Sequence, residues 1–113
     1  MEVLESHLSD VPQLKVIGEV DHEVAPALGR SIDRSLGADG TRVFLDLADC
    51  PYLDSGGLSV LLLALRHVKG RGWIGIIAPG ADLRRLFEII GLNADPDFRV
   101  LASSEEAAAL AEQ

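Results

Sequence analysis

The run Asp54-Ser55-Gly56-Gly57-Leu58 holds the clearest capacity for chemistry in the chain. It follows the apolar stretch Arg42 to Leu47 and a short connection, Ala48 to Leu53, and it opens the most apolar helical pattern in the sequence. Ligands of α/β sheets gather outside the C-terminal ends of strands, where helices begin. Free N–H groups at a helix N-terminus stabilise a carboxylate or phosphate there. Ser55 in that place reads two ways. It is a helix N-cap, or it is an exposed hydroxyl that accepts a phosphoryl group, with two glycines leaving room for a partner's active site. On spacing alone the cap reading is the stronger. The glycines favour the second, because they cost helix propensity and the start of a central helix gains nothing structural from a pair of them.

At 3.6 residues per turn, Ser55, Ser59, Leu62 or Leu63, Arg66 and Gly70 fall on one stripe of this helix. Most helix residues off the stripe are apolar, which makes the stripe the expected exposed face. A serine at its tip, an exposed leucine such as Leu63 and a basic residue further along suit docking by another protein. A solvated helix face with a stray leucine is the competing reading.

Other constellations carry less. Asp46 and Asp54 could pair as carboxylates, but Asp46 reads as lying inside a strand. His67 lies about three turns from Ser55, roughly 18 Å along the axis, so the two form no Ser–His pair. His22 follows a different strand and has no evident orienting partner. The chain contains neither G-x-G-x-x-G nor G-x-x-x-x-G-K-[ST], the glycine patterns that cradle nucleotides. The acidic pair and lysine of a response-regulator receiver are not apparent. Glu19-Val20-Asp21 keeps a metal site in view, to be tested by Mg²⁺ titration. Cys50 precedes Pro51 and reads as a small packing residue. Arg84-Arg85 offers charge that could meet acidic residues of a partner, or forms a solvated face.

The elements that must position these groups alternate between short β-like runs and amphipathic helices, which argues for an α/β layer fold. Strands are expected at Met1 to Leu8, Gln13 to Gly18, Arg42 to Leu47, Trp73 to Ala78 and Phe98 to Leu101. Helices are expected at Glu23 to Leu36, with Asp21 accepting from the first turn, at Gly56 to Lys69, and at Ala81 to Ile90. A last helix follows Ser103 or Ser104 through about Glu112. A helix joining Arg42 to Leu47 with Trp73 to Ala78 implies a right-handed parallel crossover.

The bulk numbers close off other classes. The 113 residues are one domain's worth. A net charge of -8 repels phosphate backbones and argues against nucleic acid. The partner class that remains is a protein, with a basic contact surface as one complement of the overall charge. One cysteine excludes an internal disulfide and suits a reducing, cytoplasmic setting. The N-terminal segment lacks the basic and apolar regions of a signal peptide. The apolar run Val60 to Leu65 is too short to span a bilayer.

Together these features resemble the STAS domain, and within it the anti-sigma factor antagonists of bacteria. Gly18-Glu19-Val20-Asp21, followed by Ala25 and Leu28, is similar to the family's G-E-[LV]-D-x-x-x-A-x-x-L. Phe44-Leu45-Asp46-Leu47 and then Tyr52 to Leu58 are similar to its strand and D-S-[SG]-G-L phosphorylation loop. Pro79, Leu83 to Phe87 and Gly91-Leu92 are similar to the segment before its last strand. The resemblance runs from about Leu14 to Ala109, with residues 1–113 expected to form a single STAS domain.

The resemblance implies a mixed β-sheet flanked by helices, with no cofactor, metal or catalysis. It implies that Ser55 is phosphorylated by a partner kinase, and that Asp21 and Asp54 line the docking surface. In the family's partner-switching scheme the unphosphorylated antagonist binds an anti-sigma factor that is also the serine kinase. Phosphorylation ends binding, and a PP2C-type phosphatase restores it. Many antagonists have a second serine where this chain has Gly56. That departure leaves room for a non-catalytic STAS subunit of a stressosome or of a lipid-transporting ABC complex. A homodimer is compatible with either.

Overall fold

The computed structural model describes residues 1–37 and 40–113. Strands β1 (Glu2–Leu8) and β2 (Val11–Ile17) form an antiparallel hairpin, turned by Ser9 and Asp10 with Ser9 at φ 55°. Helix α1 (Ala25–Leu36) then leads to β3 (Arg42–Asp46), α2 (Ser55–Val68) to β4 (Trp73–Ile77), and α3 (Ala81–Ile89) to β5 (Phe98–Leu101). A 3₁₀ turn over Leu92–Ala94 precedes β5, and α4 (Ser104–Ala111) follows it. The sheet order is β1-β2-β3-β4-β5, with β2 to β5 mutually parallel. The mixed sheet and its helices bear out the expected fold class.

Successive crossovers between neighbouring parallel strands keep one hand, so their helices fall on one face of the sheet. Leu28 and Ile32 of α1, Leu61 and Leu65 of α2, and Leu83 and Phe87 of α3 share a core with Leu14, Val16, Ile74 and Ile76. On the other face α4 packs Ala107, Leu110 and Ala111 against Val11, Phe44, Trp73 and Ile77. Alternation along β3 sends Val43 and Leu45 to the first core and Phe44 to the second, as a strand buried on both faces requires. The rings of Phe44 and Trp73 stand 5.0 Å apart.

Local chemistry sets the ends. β2 starts at Val11, two residues before the expected Gln13, and so takes in Pro12, whose missing N–H is tolerated because pairing with β3 begins only at Gln13. α1 starts at Ala25 rather than Glu23, because residues 22–24 form a turn first. Ser103 caps α4 by accepting from Glu106 N at 3.2 Å, while Glu106 Oε2 accepts from Ala102 N. Among the described residues, no helix is long and apolar enough to cross a membrane.

Candidate functional site

The connections that leave β2 and β3 are stitched to each other. Gly18 N donates to Asp49 O at 3.0 Å, Val20 N to Tyr52 O at 3.0 Å, and Asp54 N to Val20 O at 3.1 Å. Val20 and Leu53 form a parallel bridge beyond the strands proper, and both are buried. The parallel pairing of β2 and β3 thus resumes past their ends and carries Asp21 and His22 to the N-terminus of α2.

Asp54 organises that junction. Its Oδ1 accepts from Gly56 N at 2.8 Å and Gly57 N at 3.1 Å. Its Oδ2 accepts from His22 N at 2.9 Å and lies 3.5 Å from His22 Nδ1. Asp54, not Ser55, is therefore the N-cap of α2. The Gly57 N–H is the main cause holding the Asp54 carboxyl below its ordinary range, with the His22 and Gly56 amides adding to it against the opposing effect of burial. On the facing loop, Asp21 Oδ1 accepts from Glu23 N at 3.0 Å and Val24 N at 3.1 Å, which closes the turn into α1.

Ser55 is the first residue of α2 and is exposed. Its hydroxyl has no hydrogen-bond partner among the described residues, in contrast to the N-cap role that spacing favoured. The amides of Gly56 and Gly57 are also not free to receive an anion, since Asp54 already holds both.

The two glycines have a structural reason after all. A Cβ at Gly56 would stand 2.7 Å from the Cα of His22, and one at Gly57 would stand 3.0 Å from both Val20 O and Val20 Cγ1. They let the β2–α1 loop lie against the first turn of α2. This overturns the expectation that a Gly-Gly pair gains nothing structural there. It also ties the missing second serine to loop packing.

The stripe on α2 is exposed as its spacing implies. Ser59 and Arg66 face solvent, with Leu62 at 43 % and Leu63 at 62 % exposure. Ser59 Oγ donates to Ser55 O at 2.8 Å, so its hydroxyl proton is used within the helix. Leu63 also borders a cavity of about 170 Å³ between α1 and α2, lined by Gly29, Ile32, Asp33, Val60 and His67 among others.

The rival constellations separate. Asp46 accepts from Ala48 N at 3.0 Å and closes its own turn. His22 does have a carboxylate partner, Asp54, which sequence reasoning missed. The available signal was the glycine pair, which marks a close backbone approach at the start of α2. Cys50 is buried, its Sγ is 3.5 Å from Tyr52 O, and burial pushes its thiol pKa up. No group of three His, Cys, Asp or Glu is placed to hold a metal among the described residues.

Comparison with known proteins agrees with this geometry. The family model described as "Mlab, STAS domain" matches residues 3–102. The anti-sigma-F factor antagonist RsfB of Mycobacterium tuberculosis is 29 % identical over 97 residues, which cover 86 % of this chain and 78 % of that protein. The anti-sigma-B factor antagonist of Listeria monocytogenes is 33 % identical over 79 residues, 69 % of each chain. The fold is that of the Bacillus cell fate determinant SpoIIAA in its phosphorylated form, with a TM-score of 0.76 at 19 % identity, covering 97 % of this chain and 99 % of that one. On the family match and the closeness of these relatives, the chain belongs to the STAS domain family, beside the anti-sigma factor antagonists.

Proposed function

We propose that this chain is an anti-sigma factor antagonist switched by phosphorylation of Ser55. Unphosphorylated, it binds an anti-sigma factor that is also its serine kinase. The phosphoryl group ends that binding, and a PP2C-type phosphatase restores it. Asp21, Asp54, Ser59, Leu63 and Arg66 form the docking surface around Ser55. The chain contributes no catalysis, and a cytoplasmic setting goes with the role.

The observation that carries this reading is the state of the Ser55 hydroxyl. It is exposed, has no hydrogen-bond partner among the described residues and sits at the tip of an exposed helix face. The names of the relatives point to the same partner class. The sign of the switch follows from the neighbours. A phosphoryl group brings about -1.5 to -2 charges. The Gly56 and Gly57 amides are held by Asp54, so the phosphate is not absorbed into the helix N-terminus. It stays at the surface beside Asp54, where closing an interface over it desolvates and crowds like charges.

A second reading, a constitutive STAS subunit of a stressosome or lipid-transporting ABC complex, draws on the Mlab description of the matching family and on Gly56. Intact mass and phosphosite mapping of the protein from its own cells separates the two. One added phosphoryl group at Ser55 supports the switch. An unmodified protein in both growing and stressed cells supports the constitutive subunit.

A further inference from the structure

We infer that the His22 side chain receives the phosphoryl group on Ser55 and pairs with it as imidazolium. The inference deepens the proposed switch and rests on Ser55 as the phosphoacceptor. It begins with the charges that meet at the junction. Residues 18–24 and 48–58 are the two connections and the first turn of α2, and they hold five carboxylates, Glu19, Asp21, Glu23, Asp49 and Asp54. They hold no Lys or Arg, and His22 is their one basic side chain. Lys15, on β2, is engaged with Asp49 at 3.2 Å. Arg66 lies eleven residues along α2 from Ser55, about 16.5 Å down the axis.

Geometry puts the imidazole beside the acceptor. Ser55 stands between Asp54 and Gly56, and both of those lie against His22. Asp54 Oδ2 is 3.5 Å from His22 Nδ1 and accepts the His22 backbone N–H at 2.9 Å. A Cβ at Gly56 would stand 2.7 Å from His22 Cα. With one Cα step of about 3.8 Å from Gly56 to Ser55, the Cα atoms of His22 and Ser55 lie within about 8 Å of each other. An imidazole and a phosphoserine together span that gap. The His22 side chain is 80 % exposed, and its ring makes no hydrogen bond among the described residues. The ring is therefore free to turn while its own main chain is latched.

The other donors of the first turn are taken. The amides of Gly56 and Gly57 hold Asp54 Oδ1, and Leu58 N donates to Asp54 O at 2.9 Å. A phosphoryl group of about -1.5 to -2 charges then has one partner in the junction able to carry positive charge. A dianion favours the cationic form of an imidazole beside it. Hydrogen bonds between ionised groups are also the stronger kind. One imidazolium does not cancel the phosphate and Asp54 together, so the junction stays negative and the switch keeps its sign.

The test uses the full chain with phosphoserine genetically encoded at position 55, so no kinase is needed. Phosphorus NMR follows the second ionisation of the phosphate, which falls near about pH 6 in a free phosphoserine. His22→Gln removes the imidazole and leaves the latching main-chain amide in place. It should move the phosphate midpoint up by at least about half a pH unit, about threefold in proton affinity. His22→Arg should keep the midpoint low. Without any substitution, the ring nitrogens of His22 should respond to the phosphoryl group while those of His7 and His67 do not. Equal midpoints in the parent and His22→Gln, an unresponsive His22 ring, or an equal effect of Arg66→Gln overturn the inference. Those outcomes leave the switch standing, and failure of the switch is read separately from phosphosite mapping of the native protein.

Discussion

Asp54 Oδ2 accepts the backbone N–H of His22 at 2.9 Å across 32 residues of chain, while Oδ1 of the same carboxylate caps α2. One side chain therefore starts a helix and fastens a neighbouring loop. The two oxygens can be separated by substitution. Asp54→Asn keeps an oxygen for Gly56 and Gly57 but turns an NH₂ toward the His22 N–H. The expected result is intact α2 helicity with much faster hydrogen exchange at the His22 amide. Unchanged protection of that amide would remove the latch from the account.

The same carboxylate gives a pH dependence. Its pKa is lowered in the folded state, chiefly by the Gly57 N–H, so the unfolded chain binds a proton more readily. The stability it contributes is present above about pH 4 and is lost as pH falls through the lower folded value. Asp95, held down first by the Lys69 ammonium at 2.7 Å, acts in the same direction. The melting temperature should fall with acidification below about pH 4, and Asp54→Asn should flatten part of that slope. Thermal scans across acid pH read this directly.

Substitution of the glycines should disturb the loop in a graded way. Gly56→Ser places a Cβ 2.7 Å from His22 Cα, a backbone atom of the latched loop that must move to admit it. Gly57→Ala presses on Val20, which is fully buried. Both should destabilise, by about 1–3 kcal/mol, with Gly56→Ser costing at least as much as Gly57→Ala because its Cβ meets backbone more closely. Denaturant unfolding gives the order, and a stabilising Gly56→Ser would mean that the close approach does not exist in solution.

Ser55 separates cap from acceptor. As an N-cap, its replacement by alanine would cost about 1 kcal/mol. With Asp54 in the cap, Ser55→Ala should stay within about 0.5 kcal/mol of the parent. Under the proposed switch Ser55→Ala also keeps anti-sigma factor binding and blocks phosphorylation, while Ser55→Asp weakens binding by about tenfold or more. Calorimetry with the purified anti-sigma factor measures the pair, and equal affinities would refute the switch.

Leu63 tests the docking stripe. At 62 % exposure its truncation to alanine should leave the melting temperature nearly unchanged while binding of the anti-sigma factor weakens. A large loss of stability would assign it to the α1–α2 packing instead.

Most of this architecture was legible in the residues, because periodicity and punctuation are local. Val43 to Leu45 and Trp73 to Ile77 read as buried strands, and Leu83, Leu86 and Phe87 as a helix face, and each lies where its pattern implies, whereas Ile90, the last position of that face, falls past the end of α3 and is 42 % exposed. The site was legible in part. Asp54 and Ser55 are both capping residue types in adjacent positions, and only the backbone path decides which one turns back on the helix. The His22 contact left no side-chain signature, since its donor is a main-chain amide. It depends on two loops meeting through Val20 and Leu53, and no local pattern encodes that register.

The strand order also bears on how the chain assembles. Each strand of the sheet neighbours the one made before it, from β1 through β5. No strand must be threaded between two already placed, and no early strand waits for a distant mate. A chain emerging from the ribosome can lay each strand and its helix against a finished edge. Growth by addition keeps each loop closure short, and the edge bared at each stage is the one the next strand covers.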